Sequence, residues 1–202
     1  MKKNIFLFLF YLIPTDFVFA QNEWKLSREG NGIKVYTQKM EDSKFKSVKV
    51  ECNFSGTIDK LVAILKNVDG NIKWVYNTRR TYSIKTISNN EFIYYAETTL
   101  PWPLANRDVV INMLFNKDSM NKTLLVKATG IKDETTTKNN IVRIPYFNGL
   151  WLVASTDETH IHISYTLSVD PGGSIPAWAY NKFVSKGPYN TFNNLAALLK
   201  DE

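Results

Sequence analysis

The sequence predicts an α+β fold in which a curved antiparallel β-sheet wraps around a long C-terminal α-helix. Between Ile33 and Val169, most segments alternate apolar and polar side chains, which is the period of a half-buried strand. From Pro176 to Leu199 the apolar residues recur at helical spacing instead. No repeat, low-complexity tract or linker divides the chain, so we expect residues 21–202 to form one domain.

Residues 1–20 have the pattern of a secretory signal peptide. Lys2 and Lys3 precede an apolar run from Ile5 to Ile13, and Val18 and Ala20 occupy the usual small-residue positions before a cut. The apolar run is well short of the roughly 20 residues that a membrane-spanning helix needs. We therefore expect cleavage near Ala20 and export to the periplasm or the extracellular space.

Charge and cysteine content narrow the classes of partner. The net charge is +6 with scattered lysines, a modest positive field that favours transient contact with an anionic membrane surface. No basic run is interleaved with aromatic residues, so we expect no nucleic-acid partner. Cys52 is the only cysteine and alternates in phase with Val50 and Phe54, which predicts a small buried hydrophobe. We expect a monomer without a cofactor.

The N-terminal third is predicted to contain a hairpin between helical segments. A short helix is predicted over 24–29, ended by Gly30-Asn31-Gly32, and alternation then predicts strands over 33–38 and 45–54. The next helix is expected to be capped by Ser55 or Thr57, and its apolar positions are Ile58, Leu61, Val62 and Leu65. A second short helix is predicted over 67–76.

A run of strands follows, each bounded by Asn, Asp, Gly or Lys clusters. The predicted strands cover residues 82–87, 91–99, 109–115, 123–129, 141–144, 150–155 and 160–169. Because they follow one another directly, we expect an antiparallel meander.

The C-terminal helix is predicted over 176–199. Ser174 is its expected N-cap, and Pro176 lies in its first turn, where a missing N–H costs nothing. Gly187-Pro188 falls in the middle, where proline removes a hydrogen bond, so we expect a kink. The kink either lets the helix follow the sheet or serves as a hinge.

Four motifs in register resemble those of START domains, the steroidogenic-acute-regulatory-related lipid transfer modules. They are Trp74 after the second helix, Leu100-Pro101-Trp102-Pro103-Leu104-Ala105-Asn106-Arg107-Asp108, Val142-Arg143 with Gly149-Leu150-Trp151, and Asp170-Pro171-Gly172-Gly173 with Ile175-Pro176. The likeness spans residues 24–200. It implies a helix-grip fold with one lipid, or another apolar ligand, between the sheet and the C-terminal helix.

The resemblance and the strand phases together nominate the site residues. Expected ligand contacts are Tyr95, Glu97, Val109, Ile111, Met113, Phe115, Trp151, Ile163, Tyr165, Leu167, Trp178, Phe183 and Phe192. Arg107, Asp108 and Arg143 are expected to orient the turns around it. Many family members pair an arginine and a carboxylate inside the cavity; the arginine position here is Met113, and Glu97 either points outward or is met by Arg107 or Arg143.

Two other functions stay open at this point. A polyketide cyclase or aromatase on the same scaffold would use inward polar residues among Tyr94, Tyr95, Glu97, Arg107 and Tyr165. A structural or protein-binding role would leave a filled core. His160 and His162 have a spacing that suits a metal, but they are out of phase with Ile161 and Ile163, so we expect them to face water and to bind none.

Overall fold

The computed structural model describes residues 23–40, 42–132 and 135–200. Within these ranges, ten strands form one open sheet in the order β1-β2-β3-β10-β9-β7-β6-β5-β4, with β8 paired to β6. The strands are β1 (Lys25–Gly30), β2 (Ile33–Lys39), β3 (Lys46–Ser55), β4 (Thr78–Ser88), β5 (Glu91–Thr98), β6 (Asn106–Asp118), β7 (Thr123–Ile131), β8 (Ile141–Arg143), β9 (Tyr146–Ser155) and β10 (His160–Asp170). With the C-terminal helix against its inner face, this confirms the helix-grip fold.

The strand pairing follows the prediction except at β8. β4 to β7 form an antiparallel meander, and β9 pairs antiparallel with both β7 and β10. β8 instead runs parallel to β6, with Asn106 opposite Ile141 and Asp108 opposite Arg143. The expected unbroken meander is wrong here, because the segment between β7 and β9 crosses back to the beginning of β6.

The N-terminal segment is a strand, so the helix predicted over residues 24–29 is wrong. β1 pairs antiparallel with β2. Asn31 and Gly32 join the two strands, and both have positive φ, 51° and 74°. Asn-Gly with two left-handed residues is the preferred two-residue hairpin turn, and this turn chemistry outweighs the weak helical pattern of the polar residues before it.

The helices between β3 and β4 are close to those expected. α1 (Ile58–Lys66) is capped by Thr57, whose hydroxyl accepts a hydrogen bond from the Lys60 N–H at 3.2 Å. A 3₁₀ turn (Val68–Gly70) and the single-turn helix α2 (Asn71–Trp74) follow. The second predicted helix is thus two short turns.

The C-terminal helix is interrupted just before the predicted kink. α3 (Ala177–Phe183) and α4 (Lys186–Lys200) are separated at residues 184–185. Val184 is four residues before Pro188, where a continuous helix would bring the proline ring against its carbonyl. The interruption is a break into two helices, which leaves Pro188 in the first turn of α4, where its missing N–H leaves no bond unmade. Pro176, and not Ser174, is the N-cap of α3.

The core lies between the inner sheet face and α4, which buries Phe192, Leu195 and Leu199 completely. Cys52 is buried as predicted, and burial raises the pKa of its thiol. α3, by contrast, buries no side chain. It is held by Asn181, whose side chain accepts a bond from the Lys46 N–H and donates one to the Lys44 carbonyl.

The predicted signal peptide, residues 1–20, lies outside the described residues. In the remainder, no helix combines the length and apolarity that crossing a bilayer requires.

Candidate ligand-binding cavity

A cavity of about 280 Å³ lies between the inner face of the sheet, α2 and the first half of α4. Six strands, β4, β5, β6, β7, β9 and β10, contribute to one wall, and the helices form the other. The lining is mainly aliphatic and aromatic, which is the usual character of a site for a small organic ligand.

Seven of the predicted contact residues line this cavity. They come from three strands and α4, and each strand contributes every second residue, as the pleat requires. These residues are Val109, Ile111, Met113, Trp151, Tyr165, Leu167 and Phe192.

An aromatic cluster closes one side of the cavity. The ring centroids of Trp151 and Tyr165 are 4.5 Å apart, and Phe192 of α4 lies 5.2 Å from Trp151 and 5.5 Å from Tyr165. These spacings are typical of favourable aromatic pairs. The cluster therefore joins β9 and β10 to α4 while leaving the space beside it open.

Phe115 and Ile163 face the same side of the sheet but lie outside the lining. Both are buried in the solid part of the core, where Phe115 stacks on Phe92 with centroids 5.8 Å apart. Alternation correctly placed these two side chains on the inner face of the sheet. It did not place them at the cavity, because the cavity occupies only one end of that face.

Tyr95 and Glu97 are on the opposite face of β5, which corrects their predicted placement. Tyr95 packs there with Ile93 and Val110, and its 0% exposure results from cover on the outer face. Glu97 accepts a hydrogen bond from the Asn106 amide at 3.0 Å and pairs with Arg79 at 3.5 Å. Neither Arg107 nor Arg143 meets it.

Trp178 and Phe183 are also corrected, since they lie at the surface. They are 72% and 59% exposed. Both are in α3, and the break before α4 takes them out of the phase that a continuous helix would have given them.

Arg107, Asp108 and Arg143 hold together the end of the sheet next to the cavity. Arg107 is buried and donates to the carbonyls of Pro171 and Gly172, each at 3.2 Å. Asp108 receives two bonds from Arg143, 2.7 and 3.1 Å long, and these bonds raise the pKa of the arginine. One arginine thus fixes the turn before α3 and the other fixes β8.

Sequence reasoning missed several lining residues. Tyr94 and Ala96 of β5 line the cavity in place of Tyr95 and Glu97, and Asn71 and Trp74 of α2 line its other wall. The signal for the α2 pair was their spacing of three, which places two side chains on one helix face. No comparable signal shows which face of β5 is inward.

The polar groups of the cavity are all neutral. No Asp, Glu, Lys, Arg or His belongs to the lining that the described ranges provide. Burial raises the pKa of both Tyr94 and Tyr165, so the two phenols stay protonated. The buried Asn71 Oδ1 and Trp74 Nε1 have no hydrogen-bond partner among the residues placed by the structure.

The cavity holds few groups for catalysis. Of the five candidate catalytic residues, only Tyr94 and Tyr165 reach it. His160 and His162 lie on the outer face, where His160 bonds Asp157 and His162 bonds Asn53 and Glu51. In the part of the chain covered by the structure, no three His, Cys, Asp or Glu residues are grouped so that they could hold a metal ion.

Comparison with known proteins gives related sequences over most of the chain. An uncharacterized protein of Pseudomonas aeruginosa is 28% identical over 176 residues, which are 86% of this chain and 85% of that protein. START domain-containing protein 10 of Mus musculus is 28% identical over 167 residues, 81% of this chain but 56% of the relative. This chain thus spans little more than half of the mouse protein.

Solved structures and family models agree with these sequences. The crystal structure of a STAR-related lipid transfer protein from Xanthomonas axonopodis superposes with a TM-score of 0.81 at 27% identity, covering 88% of this chain and 99% of that one. The family model described as START domain matches residues 18–201. With its helix-grip fold and the cavity between sheet and α4, the chain belongs to the START domain family.

Proposed function

We propose that this protein binds one apolar molecule in the cavity and carries it through water. The observation that carries the proposal is the 280 Å³ of mostly apolar space between the sheet and α4. Each Å² of apolar ligand surface removed from water there contributes about 25 cal/mol. The similarity to a STAR-related lipid transfer protein supports a lipid as the ligand.

Carriage accounts for the lining better than catalysis of a cyclisation does. An acid–base reaction needs a group that changes protonation near the working pH. The titratable side chains that line the cavity are tyrosines, and burial raises the pKa of Tyr94 and Tyr165 away from that range. A turnover assay with polyketide-like substrates that gave cyclised product would favour the enzyme instead.

Filling the cavity is expected to abolish carriage without unfolding the protein. Ala96 lines the cavity and is only partly buried, so Ala96→Trp can place its indole in the open space. We expect binding of a fluorescent fatty-acyl probe to weaken at least about tenfold. The titration should be run alongside circular dichroism, because the substitution also tests overpacking.

The matched control is Ala197→Trp, the same change on the exposed side of α4. It should leave probe affinity unchanged. If Ala96→Trp folds and binds the probe as tightly as the unmodified protein, the ligand is not in this cavity. Mass spectrometry of lipids extracted from protein purified from its own host is the direct test of what it carries.

We further propose that the protein loads its ligand at a membrane surface. Exposed aromatic residues flank the cavity-lining segments: Trp102 follows the lining residue Thr98 by four positions, and Trp178 and Phe183 precede α4. Lys182 and Lys186 add exposed positive charge nearby in the chain. Aromatic side chains beside lysines favour an anionic interface.

Trp102→Ala is expected to weaken binding to vesicles of phosphatidylglycerol and phosphatidylcholine by about tenfold, since a 92% exposed indole would be the largest apolar group inserted. Co-sedimentation measures the bound fraction. Met120→Ala is the control, because Met120 is equally exposed but follows the far end of β6. Equal effects of the two substitutions would contradict docking through the Trp102 loop.

Export remains a proposal that the sequence of residues 1–20 supports. In a bacterial host, the full chain with a C-terminal tag should appear outside the cytoplasm. Its intact mass should be that of a chain whose first residue is Gln21. Recovery of uncleaved protein from the cytoplasm alone would contradict it.

A further inference from the structure

The cavity lining has no charged group for an ionic ligand. A phosphate or carboxylate brought into it would lose its hydration and find no cation in return. A charge buried there would be left unpaired and without water, which is unfavourable. The guanidinium groups at the end of the sheet next to the cavity, those of Arg107 and Arg143, are already bonded to carbonyls and to Asp108, respectively. The part of the ligand that enters must therefore be uncharged.

One wall nevertheless offers a donor and an acceptor that nothing satisfies. Asn71 Oδ1 is an acceptor and Trp74 Nε1–H is a donor, and neither has a hydrogen-bond partner within the described ranges. Both side chains line the cavity, and their residues are only 6% and 4% exposed. Because the residues are three apart in α2, they lie on the same helix face. A suitable ligand would supply the hydrogen bonds that both groups lack.

A group that donates and accepts at once suits this pair. An alcohol hydroxyl can donate to Asn71 Oδ1 while it accepts from Trp74 Nε1–H. An ether or ester oxygen can only accept, and so can the oxygens of a phosphodiester. The rest of the lining, mostly aliphatic and aromatic, suits a hydrocarbon chain.

The volume sets a further limit. At about 280 Å³ the cavity is just below the roughly 300–1,000 Å³ of pockets for drug-sized molecules. One hydrocarbon chain with a small polar end suits that space, whereas two acyl chains with a phosphorylated head group exceed it.

We infer that the ligand is an uncharged, single-chain lipid with a terminal hydroxyl, and that Asn71 and Trp74 bind this hydroxyl. The inference rests on the proposed function, since it names the chemical class that the same cavity takes. It assigns the specificity of the site to α2, opposite the sheet.

The test compares three ligands that carry the same decyl chain with one phospholipid that has two chains. Binding of 1-decanol, 1-methoxydecane, decyl phosphate and dioctanoyl-phosphatidylcholine to the unmodified protein is measured by competition with a fluorescent probe. We expect 1-decanol to bind about tenfold more tightly than 1-methoxydecane, which lacks the donated hydrogen bond, and more tightly still than the two phosphorylated compounds.

Two substitutions assign the hydroxyl site. Asn71→Leu should remove the preference for the alcohol over the ether. Trp74→Phe, which deletes the N–H and keeps an aromatic ring, should weaken both ligands by about the same factor. Trp24→Phe is the matched control at a partly exposed position outside the cavity lining and should change neither affinity. Thermal melts verify that each variant is folded. If a variant does not fold, the ligand series on the unmodified protein still decides the chemical class of the ligand.

The outcomes separate this inference from the proposed function. If decyl phosphate or dioctanoyl-phosphatidylcholine competes as well as 1-decanol, the protein is a lipid carrier but the inferred ligand class is wrong. If Asn71→Leu folds and leaves the alcohol preference intact, or Trp74→Phe folds and leaves both affinities unchanged, the assignment to α2 is wrong. If none of the four compounds and no acyl probe binds, the proposed function itself fails.

Discussion

Phe192→Ala is expected to lower the free energy of unfolding by about 3–5 kcal/mol. Phe192 is completely buried and lies between α4 and the sheet, with Trp151 and Tyr165 beside its ring. Removing the ring loses its transfer free energy and two aromatic contacts. The space left behind merges with a cavity that is already open, so relaxation of the neighbouring side chains would not fill it. Urea unfolding followed by tryptophan fluorescence measures the loss.

Phe183→Ala is the matched control for that experiment. Phe183 is 59% exposed in α3, so the same truncation there should change stability by about 0.5 kcal/mol or less. Similar losses for the two substitutions would mean that α4 does not pack on the sheet as described, and the wall of the cavity would have to be placed elsewhere.

Asp108→Ala is expected to cost about 3 kcal/mol, the second largest effect. The Asp108 carboxylate is 1% exposed and receives both bonds from Arg143, whose own side chain is 18% exposed. Without the carboxylate, the guanidinium keeps only its bond to Thr135. Most of the cost is this stranded charge, so Asp108→Ala combined with Arg143→Met should be more stable than Asp108→Ala alone.

Asp59→Ala removes a carboxylate from an exposed ion pair and serves as the comparison. Asp59 pairs with Lys117, and its side chain is 80% exposed. Water screens such a pair, and the expected loss is about 1 kcal/mol or less. Equal losses at positions 59 and 108 would show that the Asp108 pair is not buried in solution.

The sequence predicted the inner faces of β6 and β10 because polar and apolar residues alternate along β10 and along the second half of β6. Val109, Ile111 and Met113 alternate correctly, and so do Tyr165 and Leu167. The family resemblance then placed a ligand between those faces and the C-terminal helix. These two kinds of information were enough for the fold and for seven of the residues that line the cavity.

β5 could not be assigned in the same way, because both of its faces are covered. Tyr94 and Ala96 face the cavity, while Tyr95 and Glu97 are buried on the other side. Lys138, between β7 and β8, has its Nζ 4.2 Å from the centroid of the Tyr95 ring. Alternation divides the residues of a strand between two faces, but it identifies the inward face only when the other face is exposed to water.

The secondary structure predicted for the two ends of the chain differs from the structure for another reason. β1 is an exposed edge strand with no alternation to detect, and only its Asn31-Gly32 turn marked it. In the C-terminal segment, the apolar residues of α3 and α4 fit one helical period on paper. The break at residues 184–185 begins four residues before Pro188, so the proline marked the interruption but not that it would divide the segment into two helices.

Because of that break, α3 can detach at a lower free-energy cost than unfolding of the whole domain requires. No α3 side chain is fully buried, although Tyr180 is partly covered, and α3 is attached by the two Asn181 bonds and the edge contact of Tyr180 with Phe45, whose ring centroids are 5.1 Å apart. Of the two C-terminal helices, only α4 contributes fully buried side chains to the core. Amide protons of α3 can therefore exchange with solvent through a local fluctuation, while those of α4 must wait for the whole domain to melt.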